Sequence, residues 1–309
     1  MSDTIIRLAS RDSPMALAQV ERVRVLLEDH HPGITVEAVT TTTEGDRWTG
    51  ALADHGGKAL FCKEVDQLVI GGRADVAVHC LKDVPGDSPM PEGTMFAAFR
   101  ERDSPADCLV HPGGLTFNQL PAGARVGTSS PRRTAQLRRL RDDLDYVPIR
   151  GNAGTRLAKL HAGDVDALIM AEAGLVRVGQ IAAATDTFST DDLLPAIGGG
   201  IIALQCRVDD APTRALLAPL DHPATRIEAT CERALLRTLR GNCRTAVAAH
   251  AMFNGQDVYV HARVYSPDGR RALDASGTAG SGDAAKLGDA VAQRLLDEGA
   301  RDLIDAATP

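Results

Sequence analysis

The sharpest chemical signal in the sequence is Val76-Ala77-Val78-His79-Cys80-Leu81-Lys82-Asp83-Val84-Pro85, an apolar run of strand type that empties into a Lys-Asp pair before a proline-fixed turn. A carboxylate at the end of a buried strand faces the loop edge of its sheet, where it can hold a developing cation or shuttle a proton. As a bare surface pair, Lys82 and Asp83 would contribute only about 0–1 kcal/mol. His79, isolated within the strand, reads as a packed histidine. Two other segments carry anion chemistry. Gly127-Thr128-Ser129-Ser130-Pro131-Arg132-Arg133 gathers three hydroxyls and two arginines at one helix start. Cations there oppose the helix dipole by roughly 0.3–1 kcal/mol each, and a bound polyanion would compensate them. Arg150-Gly151-Asn152-Ala153-Gly154-Thr155-Arg156 adds two guanidiniums after the next strand, with glycines that let the backbone approach a ligand. Together with Arg132 and Arg133 it reads as a carboxylate clamp, because a guanidinium fork takes a carboxylate bidentately. Arg177, after Ala171-Glu172-Ala173-Gly174, is a further candidate of this kind. Cys243 lies in a Gly-Asn-Cys-Arg turn after a helix. Most single cysteines are inert small hydrophobes; placement in a turn leaves a nucleophile reading open.

The elements that would position these groups repeat. Ser-Pro-x-x-x-Ala-Gln occurs at Ser13-Pro14 with Ala18-Gln19 and again at Ser130-Pro131 with Ala135-Gln136, each time after a short aliphatic run. In both places a strand meets a hydroxyl N-cap with proline at the first helical position. A second match, Gly72-Arg73-Ala74-Asp75-Val76 against Gly163-Asp164-Val165-Asp166-Ala167, follows in the same order, which indicates two related lobes. The first lobe is predicted as strand 4–9, helix 14–28, strand 35–41, helix 60–70 and strand 75–80. The second is predicted as strand 124–127, helix 131–140, strand 145–149, helix 154–161 and strand 167–170. Strands alternating with amphipathic helices imply parallel βαβ units whose ligands lie beyond the carboxyl ends of the strands. Two crossings between lobes are expected, near 100–105 and 195–200, where Gly198-Gly199-Gly200 suits a hinge or close ligand approach. After Pro219 a helix, three alternating strands and a final helix predict a small α+β domain. The division expected is 1–100 with 199–217, then 101–198, then 218–309.

Composition bounds the function. The chain has 309 residues, 44% hydrophobic and 24% charged, an ordinary soluble balance with room for several cores. A net charge of −7 argues against a nucleic-acid partner, which would need a broad basic face. No apolar run approaches the roughly 18 residues of a membrane span, and the first residues carry no secretory signal, so a cytoplasmic location is expected. Lys58, Lys63, Lys82, Lys159 and Lys286 are the only lysines, so nearly all cations are forked guanidiniums. The cysteines and histidines form no metal-ligand spacing, and no metal is expected.

These segments, in order, resemble the porphobilinogen deaminase family, also called hydroxymethylbilane synthases. The resemblance covers nearly the whole chain: Ser10-Arg11-Asp12-Ser13-Pro14, Gly56-Gly57-Lys58 with Phe61, Ala77 to Pro85, Gly127 to Arg133, Arg150 to Arg156, Ala173-Gly174-Leu175, Leu194-Pro195-Ala196 and the Cys243 turn. It implies an α/β fold of two lobes resembling type II periplasmic-binding-protein domains, plus a small C-terminal α+β domain. It implies a monomeric transferase that joins four porphobilinogen molecules into linear hydroxymethylbilane with loss of ammonia, on a dipyrromethane cofactor tethered to Cys243. Asp83 would stabilise the pyrrole nitrogens and the azafulvenium cation and assist proton movement. Lys82, Thr128, Ser129, Ser130, Arg132, Arg133, Arg150 and Arg156 would hold the cofactor, and Arg11, Ser13, Lys58 and Arg177 the substrate carboxylates. The chain departs from the family pattern at Glu44, Asp54, Gly199, Arg244 and Ala246. A divergent paralogue, or a two-lobed binding or sensor module without chemistry, is therefore the alternative. A cysteine hydrolase would need a base near Cys243 that neither His250 nor His261 supplies by spacing.

Overall fold

The computed structural model describes residues 4–47, 61–242 and 244–306. In chain order the first part comprises β1 (Thr4–Arg11), α1 (Pro14–His30), β2 (Ile34–Thr41), α2 (Glu44–Arg47), α3 (Lys63–Ile70), β3 (Val76–Cys80), a tight turn Leu81–Asp83 and β4 (Thr94–Phe99). The second comprises β5 (Asp107–Val110), β6 (Arg125–Gly127), α4 (Pro131–Leu140), β7 (Asp145–Val147), α5 (Ala153–His161), β8 (Ala167–Ala171), α6 (Glu172–Arg177) and β9 (Asp186–Thr187). The chain returns through β10 (Ile202–Arg207) and α7 (Ala211–Leu217), then forms α8 (Pro223–Leu239), β11 (Val247–Phe253), β12 (Asp257–Tyr265), β13 (Ala272–Gly280), α9 (Ala284–Asp297) and α10 (Ala300–Asp305).

The strands make three sheets, ordered β2-β1-β3-β10-β4, β7-β6-β8-β5-β9 and β11-β12-β13. In the first, β1 runs parallel to β2 and β3, and its residues alternate between two helical layers. Ile6 and Leu8 pack with Val20, Val23 and Leu27 of α1, while Ala9 packs with Val65, Leu68 and Val69 of α3. The second sheet repeats this around β6, parallel to β7 and β8. The repetition extends to single bonds. Arg7 binds Asp75 through its backbone N–H, Nε and Nη2 at 2.8, 3.1 and 2.9 Å. Arg125 binds Asp166 through the same three groups at 2.7, 3.3 and 2.8 Å. Both repeated N-caps form: Ser13 accepts from the Ala16 N–H and Ser130 from the Arg133 N–H, with proline following each.

The sheets differ from a purely parallel expectation in one respect. β10 lies antiparallel between β3 and β4, and β5 lies antiparallel beside β8. Each is the strand that first arrives after a crossing, so each sheet takes its fourth member from chain that has just left the other. The third sheet is an antiparallel meander covered on one face by α8 and α9, whose Leu235, Leu239, Val291 and Leu295 meet Val258, Val260 and Val264.

The two crossings are latched. Arg102 donates from Nη1 to Glu232 Oε1 at 2.8 Å and from Nε to the Gly199 carbonyl at 2.9 Å. Glu232, wholly buried in α8, also accepts from the Gly198 and Ala251 N–H groups. Arg177 donates from Nη2 to Asp103 at 2.7 Å and to the Gly200 carbonyl at 2.8 Å, and Arg22 of α1 grips the same Asp103. The close approach at Gly198 to Gly200 is therefore made by the chain itself. A Cβ at Gly200, where φ is +80°, would lie 2.2 Å from the Asp103 carbonyl oxygen.

Candidate active site

The carboxyl ends of β1 and β3 and the start of α1 open on one pocket, lined among others by Ser10, Arg11, Ser13, Cys80, Lys82 and Asp83. Asp83 closes the turn that follows β3. Its carboxylate has no hydrogen bond from a described residue, while its carbonyl accepts from the Cys62 thiol at 3.4 Å. Arg11 is fixed from two sides: its Nε donates to Asp46 at 3.0 Å, and its guanidinium lies 4.5 Å from the centre of the Phe61 ring. Burial works against the Arg11 charge, but Asp46 and Asp83 outweigh it and hold the guanidinium above its ordinary value. Ser13 both lines the pocket and caps α1.

The ends of β6 and β7 supply the second wall. Thr128 Oγ1 accepts from the Ser130 N–H and Ser130 Oγ from the Arg133 N–H, so each hydroxyl keeps its own proton for a ligand. Ser129 exchanges two bonds with the Ile149 backbone, at 2.6 and 3.0 Å, which ties the two loops together. Asn152 caps α5 through the Thr155 N–H, and Arg156 anchors Nε on the Gly151 carbonyl. Arg156 is half-buried. Desolvation, with Arg133 and Arg150 close by, pushes it down to about 10, and among the described residues Asp83 pulls the other way. Burial also lowers Arg150. Three guanidiniums thus crowd one place, within electrostatic reach of the carboxylate on the opposite wall.

Two expected ligand holders are otherwise engaged. Arg132, 5% exposed, spends Nη1 on the Leu194 carbonyl and Nη2 on Asp107. Buried at the strand-helix junction, it is a structural cation and not an open carboxylate holder. Arg177 is consumed by the crossing latch, with Asp103 and Gly200 taking its forks and Cys80 Sγ 3.7 Å from Nη1. Arg133 is divided. It shares Asp107 through Nη2 and gives Nη1 to the Ile169 carbonyl, but its buried Nε has no partner. Asp107, which sequence reading passed over, opens the wholly buried β5 and is held far below the usual carboxylate range by the two arginines, although burial opposes them. A carboxylate at the head of an otherwise apolar four-residue strand was its signal.

Lys58 and Cys243 lie outside the described residues, as do Asp54, Gly56 and Gly57. The residues flanking Cys243 are tied to the Asp83 loop. Asn242 accepts from the Arg244 N–H through Oδ1 at 2.9 Å and donates from Nδ2 to Asp87 at 3.2 Å. Earlier in α8, Arg233 donates to the carbonyls of Val84 and Pro85 at 2.7 and 2.8 Å. The helix that leads to the cysteine turn therefore rests directly on the turn that carries Asp83.

An orphaned buried Nε on Arg133, two hydroxyls with protons to give, and a crowded Arg150 and Arg156 fit a group bearing several carboxylates. Among the described residues no helix is long and apolar enough to cross a membrane. Residues 6–215 match the family model described as porphobilinogen deaminase, dipyromethane cofactor binding domain, and residues 226–297 the porphobilinogen deaminase C-terminal domain. The chain is 50% identical over 302 residues to porphobilinogen deaminase 2 of Streptomyces coelicolor, covering 97% of this chain and 96% of that one. Solved structures with weaker likeness include a putative methionine-binding lipoprotein of Bacillus subtilis, at 11% identity and TM-score 0.43 over 70% of this chain and 90% of that one. Another is the methionine-binding protein MetQ, at 10% identity and TM-score 0.45 over 70% and 89%.

Proposed function

Given that the chain belongs to the porphobilinogen deaminase family, we propose that the cleft between Asp83 and the Arg133, Arg150 and Arg156 wall is where its reaction occurs. The chain is a hydroxymethylbilane synthase, a transferase of tetrapyrrole biosynthesis that condenses porphobilinogen with loss of ammonia and uses a dipyrromethane cofactor. When bound, that group supplies the covalent primer on which the product is built.

The chain's own residues divide the remaining work. Cys243 is the attachment point, with Asn242 and Arg233 fixing its helix and turn against the Asp83 loop. Thr128, Ser129, Ser130, Arg133, Arg150, Arg156 and Lys82 hold the cofactor carboxylates, and Arg11, Ser13 and Lys58 those of the incoming substrate. Arg132 acts at one remove, by sharing Asp107 with Arg133. Asp83 lies beside the cation that forms when ammonia leaves the substrate, and its carboxylate stabilises that charge. The observations that carry this reading are the unpartnered buried Nε of Arg133 and the crowding of Arg156 by Arg133 and Arg150, with Asp83 opposing them among the described residues. Such an arrangement suits a polyanion with one developing positive centre. We assign residues 1–100 with 199–217, 101–198 and 218–309 to three domains, supported by the crossings after β4 and before β10. A monomeric, cytoplasmic enzyme follows from the family resemblance.

Intact-mass measurement tests the assignment: the protein should carry an adduct of two porphobilinogen-derived units, lost in Cys243→Ser. Asp83→Ala should keep the fold and the adduct while turnover falls by at least about 100-fold. Unmodified protein with no adduct after incubation with substrate, or a fully active Asp83→Ala, would contradict it.

A further inference from the structure

His79 does not sit in an apolar interior. It shares with Ala77 the face of β3 that looks toward α3, and there its Nε2 lies 3.1 Å from Asp66 Oδ1. The two side chains are 3% and 10% exposed, the approach is off the line of a well-formed hydrogen bond, and neither atom has another partner. A buried imidazole and a buried carboxylate are therefore left to each other. The same ring lines the pocket shared by Cys80, Lys82 and Asp83. Nε2 is sealed against Asp66, and Nδ1 has no hydrogen bond among the described residues, so Nδ1 is the ring nitrogen left for the pocket that the residue lines.

We propose that His79, oriented by Asp66, is a second catalytic residue of the cleft: the base that takes the proton released at each condensation. In that step the exocyclic C–N bond of porphobilinogen breaks and ammonia departs with the electron pair. A pyrrole α-carbon supplies the pair for the new C–C bond and then sheds its hydrogen as a proton. His79 accepts it at Nδ1, Asp66 balances the charge, and the proton leaves with the ammonia as ammonium; nothing is oxidised or reduced. A carboxylate beside a ring nitrogen fixes the tautomer, keeping N–H toward the acid and the lone pair on the other nitrogen. The two acids also have conflicting duties. Asp83 is already engaged as partner of the cation, so a separate base relieves it of holding the proton.

The inference rests on the reaction assigned above, and the experiment separates the two. Holoenzyme carrying His79→Asn should retain its adduct mass, keep KM within about twofold and lose about 100-fold in kcat. Porphobilinogen deuterated at its free α-carbon should then show a primary isotope effect absent from the unaltered enzyme, and Asp66→Asn should show the same signature with a smaller loss. A His79→Asn enzyme at full rate, or a slow one with no isotope effect, overturns the base while leaving the overall reaction intact. Unaltered protein that releases no ammonia overturns the reaction itself. Nitrogen-15 spectra of histidine-labelled holoenzyme should show His79 protonated at Nε2 and bare at Nδ1; the opposite tautomer overturns the proposal even if neither variant folds.

Discussion

Arg156 illustrates how a binding residue can weaken the fold that displays it. Its charge is opposed by burial and by Arg133 and Arg150, and is favoured by Asp83 across the cleft. Replacing it with methionine should raise the thermal midpoint of cofactor-free protein by about 2 °C, in line with roughly 1 kcal/mol in a chain of this size. The same variant should load the primer poorly, because the carboxylates lose one of their guanidiniums. As pH rises through about 10, Arg156 of the cofactor-free protein loses its proton and its hold on carboxylates, so primer loading should weaken there. Loading of the methionine variant, followed by intact mass, should lack that limb. Asp83 and Arg156 were legible in the sequence because strand ends and glycine-bearing turns leave local marks. The fate of Arg132 was not, since spacing at a helix start cannot reveal that Asp107, 25 positions earlier, waits beneath it.

Positive-φ glycines at the strand connections carry different burdens, and substitution should separate them. Gly163 has φ +81° with open space around its missing side chain, so Gly163→Ala should cost only the left-handed penalty of about 1–2 kcal/mol. At Gly200 the same conformation is combined with an obstructing Asp103 carbonyl beside the Arg177 latch. Gly200→Ala should therefore cost about 3 kcal/mol or more, read as a lower denaturant midpoint, because φ strain and overpacking add. Parallel cores such as β1 with α1 were readable from their periodicity. The antiparallel members were not: Ile202 to Cys206 is buried along its whole length, so no alternation marks it, and β5 is only four residues long.

Across the molecule, the third sheet is docked on both others. Tyr265 reaches Gln136 of α4 at 3.1 Å, Arg139 donates to the Gly269 carbonyl, and Arg233 holds the turn after Asp83. Arg233→Met strands two carbonyls, so stability should fall by roughly 1–3 kcal/mol. It should also lower kcat with the adduct still present, because the loop bearing Asp83 loses its prop; chemical denaturation and intact mass together check this. The place of β10 has a further consequence for biogenesis. It lies between β3 and β4, so during synthesis β4 has no neighbour until the chain has visited the second sheet and come back. At ribosomal rates that wait is on the order of ten seconds. The nascent chain must keep the open edge of β3 from strangers for that long, and a holdase that covers strand edges should favour its yield.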